Sequence, residues 1–87
     1  MDEKAIISFK EKLDDQHDWP GVYTFKFIVP ADKVEQVKAF FKEEEMEQKA
    51  SSNGKYISIT AKVLMQASDD VIATYIEAKK IEGIISL

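Results

Sequence analysis

The stretch SSNGKYISIT, residues 51 to 60, gathers two hydroxyls, a carboxamide, a glycine and an ammonium within five positions. Ser51, Ser52, Asn53, Gly54 and Lys55 are residue types with which a loop cradles phosphate or another anion. That chemistry needs a glycine-rich turn feeding the N-terminus of a helix, where unpaired backbone N–H groups converge. Here the turn feeds Tyr56-Ile57-Ser58-Ile59-Thr60, whose period-two alternation reads as a strand. Asn-Gly before such a run signals a hairpin, because both residues tolerate the positive φ of a type I′ turn. The stretch is therefore expected to form a tight hairpin, and any function it has is expected to be contact with a partner.

Three other clusters carry chemistry-bearing types. His17 stands among Asp14, Asp15 and Asp18, an imidazole with carboxylates that could meet a cation. They lie in the loop-like DDQHDWPG, and an ion needs several ligands fixed in space, so the expectation is a solvated histidine, with no metal and no cofactor. Glu43, Glu44, Glu45 and Glu47 form the densest charge run, read as a solvated helix end and alternatively as a docking patch for a basic partner. Lys26, Tyr56, Ser58, Thr60 and Lys62 share one strand face. An RNA platform would stack bases on aromatic rings in the middle strands, and only Tyr56 falls on this face. Tyr23, Tyr56 and Lys55 have no spacing that demands a shared site, and no nucleophile and base pair up. The chain is expected not to be an enzyme. Lys26, Ser51, Ser52, Asn53, Lys55, Tyr56, Ser58, Thr60 and Lys62 are its candidate interaction surface.

Composition narrows the partners. The 87 residues hold 45% hydrophobic and 32% charged types, the make-up of one globular domain with a modest core. With no cysteine, disulfides, thiolate metal sites and a metallochaperone's cysteine pair are excluded. All twelve basic residues are lysine, against sixteen acids and a net charge of −4. Arginine's forked grip on phosphate or guanine is missing, which counts against acylphosphatase-like chemistry. The lysines are dispersed among acids, so no nucleic-acid partner is expected. Acids follow Met1 where a secretory signal carries bases, and no apolar run approaches a membrane span. The expected place is cytoplasmic, with no membrane partner.

These side chains must be held by a small set of elements. Ile6, Phe9 and Leu13 recur at helical spacing in residues 2 to 13, giving a leading helix and loop over 1 to 18. Residues 22 to 29 alternate, with Tyr23, Phe25, Phe27 and Val29 toward the core and Thr24, Lys26 and Ile28 away from it. Pro30 ends that strand, and Asp32 with Glu35 resembles a capping box opening a helix through Val34, Val37, Phe40 and Phe41 that fades near Glu43 to Glu45. A weak strand over 47 to 52 and an alternating one over 56 to 63 flank Asn53-Gly54. Ile57, Ile59, Ala61 and Val63 share the core face. Ser68 is expected to cap the next helix, with Val71, Ile72, Tyr75 and Ile76 apolar and Lys79 and Lys80 near its end. After Gly83 comes a short strand over 84 to 87. Over residues 19 to 87 this order is the α+β, ferredoxin-like βαββαβ pattern: a four-stranded antiparallel sheet with two helices on one face, preceded by the extra N-terminal helix. The other sheet face is expected to be exposed, or covered by the leading helix or another subunit.

At Trp19-Pro20-Gly21-Val22-Tyr23, at SSNGKYISIT and at the final helix and short strand, the chain resembles the YbeD-like family of small bacterial proteins of unknown function, over roughly residues 18 to 87. The resemblance implies a ferredoxin-like fold close in architecture to ACT regulatory domains, which bind amino acids or other small effectors at dimer interfaces. It brings no catalytic residues. Where ACT domains commonly place a glycine between first strand and first helix, this chain reads Pro30-Ala31-Asp32. Fold alone does not fix function. Two readings follow: a non-catalytic regulatory or protein-interaction module, including self-association as a homodimer, and an ACT-like sensor of an amino acid or other metabolite.

Overall fold

The computed structural model describes residues 2–87, Met1 of the leading segment lying outside them. Its elements are α1 (Glu3–Gln16), β1 (Gly21–Pro30), α2 (Val34–Lys38), β2 (Met46–Ala50), β3 (Tyr56–Met65), α3 (Ser68–Ala78) and β4 (Ile85–Ser86). The strands form one antiparallel sheet in the order β2-β3-β1-β4, so the expected ferredoxin-like arrangement is what the chain adopts. Alternation along β1 and β3 decides the faces. Phe25, Phe27 and Val29 of β1 and Ile59 and Ala61 of β3 are fully buried, with Phe25 directly opposite Ala61 and Phe27 opposite Ile59. Val37, Phe41, Val71, Ile72, Ala78 and Ile81 close the core from the other side.

The leading helix does not cover the open sheet face. It lies against α3, and Leu13 is buried in the common core. Lys10 anchors it: its Nζ donates to the Ser68 hydroxyl at 2.8 Å and sits 3.2 Å from Asp69 and 3.7 Å from Asp14. The Asp69 carboxylate is the main reason the Lys10 ammonium titrates above its ordinary value, Asp14 adding to it. Asp14 in turn is held below the usual carboxylate range, first by the Ser68 hydroxyl and then by the Trp19 indole N–H, 3.0 Å away, and Lys10. Asp2 caps the helix, its carboxylate accepting from the Ala5 N–H at 2.7 Å.

Two capping expectations are corrected. Ser68 is the first helical residue rather than the cap, a position held by Ala67, and its buried hydroxyl serves Lys10. Asp32 lies inside a 3-10 turn, Ala31–Lys33, and α2 has only five residues, with no side-chain cap. A longer helix would gather Glu43, Glu44 and Glu45 at its negative C-terminal end. Instead the chain starts afresh, and Glu43–Glu45 form their own 3-10 turn in which the Glu45 carboxylate accepts from the Lys42 N–H at 3.0 Å. The acids thus sit at the positive end of a turn, and Glu45 holds backbone rather than merely ending a helix.

The hairpin is present, but its turn is not type I′. Gly54 has φ 72°, and among the described residues none other than glycine has positive φ, so Asn53 stays in the ordinary region. The Gly54 N–H donates to the Ser51 carbonyl at 3.0 Å, and Ser51 and Tyr56 close the loop through the Ser51 N–H and Tyr56 carbonyl at 2.9 Å. Four residues lie between that pair, built around an ordinary turn. The Asn53 carboxamide oxygen accepts from the Ser51 hydroxyl at 2.9 Å and the Lys55 N–H at 3.1 Å, while Ser51 Oγ accepts from the Tyr56 N–H at 3.2 Å. Gly54→Ala should destabilise the domain by about 1–2 kcal/mol through left-handed strain, which lowers the melting temperature by roughly 4–8 °C per kilocalorie. A thermal melt unchanged by Gly54→Ala contradicts this turn.

Candidate functional site

The open face of the sheet holds the candidate surface. Lys26 lies opposite Thr60 and Ile28 opposite Ser58 across β1 and β3, while Thr24 faces Lys62. On the outer side of β3, Glu47 and Lys49 of β2 join the same face beside Thr60 and Ser58; beyond β1, Ile85 of β4 sits opposite Ile28. Five of the sequence-predicted residues, Lys26, Tyr56, Ser58, Thr60 and Lys62, are therefore brought onto one surface. Ser51, Ser52, Asn53 and Lys55 are not; they form the hairpin loop beyond its Tyr56 end. That loop spends most of its backbone donors on itself. The N–H groups of Ser51, Gly54, Lys55 and Tyr56 and the Ser51 hydroxyl all have partners within it, and no helix N-terminus follows the turn to gather donors for an anion.

The face is more apolar than the candidate list. Val22 and Leu64, directly opposite each other at the far end, are 63% and 58% exposed, and Ile85 and Tyr56 at the near end are 51% and 46% exposed. Between these ends lie three lysines, Lys26, Lys49 and Lys62, and the acid Glu47, while Glu44 and Glu45 border the face in a hollow shared with Glu47, Thr60 and Lys62. Among the described residues none of the three makes an ion pair. The mix is a polar, lysine-bearing centre framed by exposed aliphatic and aromatic side chains. Val22 and Leu64 were reachable from sequence: Val22 opens the predicted first strand and Leu64 lies one step past the end of the predicted third, and period two places them with Thr24 and Lys62. Lys49 and Glu47 were not, because strand 47 to 52 has no apolar alternation to set its faces.

The other clusters resolve into structure. His17 packs between rings, 5.5 Å from Trp19 and 5.4 Å from Tyr23 by ring centroids, and Asp14 is taken by Trp19 and Lys10. Among the described residues no three His, Asp or Glu side chains are grouped to hold a metal ion. Tyr23 and Tyr56 point to opposite faces of the sheet and share no site. No helix among the described residues is long and apolar enough to cross a membrane.

Over residues 14–87 the chain matches the family described as Protein of unknown function (DUF493). The chain belongs to this family. The DUF493 match begins in the last turn of α1, so it takes in the Asp14 to Trp19 contact, the whole sheet and both later helices, and leaves most of α1 outside. No curated protein and no solved structure matches the chain significantly. The open face of this DUF493 domain lies wholly within the family match, as does the hairpin loop.

Proposed function

We propose that the chain is a non-catalytic regulatory or protein-interaction module whose open sheet face receives the acidic surface of a partner protein. The observation that carries this reading is the frame of exposed Val22, Leu64, Tyr56 and Ile85 around the unpaired Lys26, Lys49 and Lys62. Exposed apolar side chains gathered on one face favour docking, and a polar, like-charged centre selects the partner and speeds encounter. The strands themselves give this face three lysines to one glutamate, Glu47, an excess of positive charge at its centre although Glu44 and Glu45 border it beside Lys62. It argues against the same face packing on itself. A two-fold pairing whose axis passes through the centre of the sheet would set Lys26 and Lys62, on the two central strands, near their own counterparts. The absence of arginine and the single exposed ring argue for protein rather than nucleic acid. Effector binding at the β1 to α2 turn in the ACT manner is disfavoured, because the Ala31 N–H there is bonded to the Lys55 carbonyl at 2.9 Å.

The test uses the immobilised chain and a lysate of its source cells. Lys26→Glu with Lys62→Glu should weaken capture of one identified acidic protein by at least about tenfold. Glu11→Lys, on the exposed surface of α1, should leave it unchanged. A partner retained equally by the double variant overturns the reading, as does a dimer in sedimentation that Leu64→Ser abolishes.

A further inference from the structure

A second concavity lies on the opposite side of the molecule from the open face, where α1, α3 and the end of the chain meet. It has a volume of about 330 Å3 and is walled by Phe9, Tyr23, Tyr75, Lys79, Ser86 and Leu87. Ligand pockets run from about 300 to 1,000 Å3, so this one suits a small molecule. Its floor is aromatic: the Phe9 and Tyr75 rings are 5.6 Å apart and tilted by 58°, and Tyr23 meets Tyr75 edge-on at 6.2 Å and 87°. Such a cage offers both faces and edges to another ring.

Two polar features stand over that floor. The Tyr23 and Tyr75 hydroxyls are 3.1 Å apart and share one hydrogen bond. A pair of hydroxyls so joined uses one O–H and keeps the other as a donor. Burial, with the Tyr23 hydroxyl adding to it, pushes the Tyr75 phenol well above its ordinary pKa, and whichever hydroxyl donates in the shared bond, the other O–H remains free. Lys79 is at the rim, exposed, and makes no ion pair among the described residues. A free phenolic O–H and an ammonium beside aromatic walls complement a carboxylate carried on a ring.

We infer that the cavity between Phe9, Tyr23, Tyr75, Lys79, Ser86 and Leu87 binds a small aromatic monocarboxylate. The ring lies on Phe9 and Tyr75, and the carboxylate accepts from the tyrosine pair while facing Lys79. The site is independent of the open face, so either can stand without the other.

Phenylpropionate is the probe, with phenylpropanol as its uncharged counterpart, titrated into the isotope-labelled full chain and followed by amide NMR. The expected result is a saturable shift centred on Phe9, Tyr23, Tyr75, Lys79, Ser86 and Leu87, with a Kd of about 1 mM or tighter, and weaker binding of the alcohol. Lys79→Gln, a change at an exposed position, should weaken phenylpropionate about three- to fivefold and leave phenylpropanol unaltered. Tyr23→Phe should weaken both. Shifts that fail to saturate, that map to the open face instead, or that keep the same acid-to-alcohol preference in Lys79→Gln overturn the inference.

Discussion

Phe25→Ala is expected to lower the unfolding free energy by about 3–5 kcal/mol, the usual range for emptying a fully buried ring. Phe25 has no exposed surface, and it is where the aromatic part of the core converges. Its ring lies 4.8 Å from Tyr23, 6.1 Å from Phe27, 5.4 Å from Phe41 and 5.2 Å from Tyr75. Neighbours on β1, on α3 and in the segment after α2 cannot all collapse inward, so most of the cavity remains. Natural domains have only about 5–15 kcal/mol in total, so the variant should be near the edge of folding, with its urea midpoint reduced accordingly. Thr24→Ala, one residue away on the open face, should stay within about 0.5 kcal/mol of the parent. A Phe25→Ala loss below about 1 kcal/mol, measured by urea denaturation, contradicts the packing described here.

The contrast between Phe25 and Thr24 also shows what was legible in the sequence. A strand has only two faces, and β1 sorts its aromatic residues onto one of them without exception, so parity alone assigned Lys26, Ser58, Thr60 and Lys62 to the open side. The βαββαβ order followed from where period two gave way to helical spacing. What parity cannot report is the side on which an added helix docks. Ile6, Phe9 and Leu13 mark α1 as amphipathic, yet its position depends on Lys10 reaching Ser68, 58 residues away. Ser68 looked like a cap because its type and place before Asp69 and Asp70 are those of one. Its buried hydroxyl is instead taken by the partly exposed Lys10 ammonium, and Ala67 holds the cap position. The tyrosine pair was hidden for the same reason, since Tyr23 and Tyr75 are 52 residues apart and each reads locally as core. Asn53-Gly54 was legible as a turn and misleading as to its type, because Asn53 is used through its carboxamide oxygen rather than through a left-handed backbone.

Gly83→Ala should be the next most damaging change, at about 2–4 kcal/mol, combining left-handed strain with overpacking. Gly83 has φ 82°, and a Cβ there would stand 2.9 Å from Pro30 Cγ and 3.4 Å from Pro30 Cδ. Gly54 has nearly the same φ with nothing within 4 Å, so the excess of Gly83→Ala over Gly54→Ala measures the contact with Pro30 alone. Equal losses in the two variants would mean that Pro30 yields freely and only strain is felt. The position of Gly83 gives the change a local signature too. Two residues on, Ile85 and Ser86 pair with Ile28 and Phe27, and the Leu87 N–H donates to the Lys26 carbonyl at 2.9 Å. A two-residue edge strand has little else to hold it, so hydrogen exchange at Leu87 should quicken more than at Phe27 or Ile59 in the core. Because Ile85 borders the open face while Ser86 and Leu87 wall the cavity, loosening β4 acts on both proposed surfaces unequally. The cavity loses two of its six walls and should lose phenylpropionate binding, whereas Lys26 and Lys62, held by β1 and β3, should keep their capture of an acidic partner.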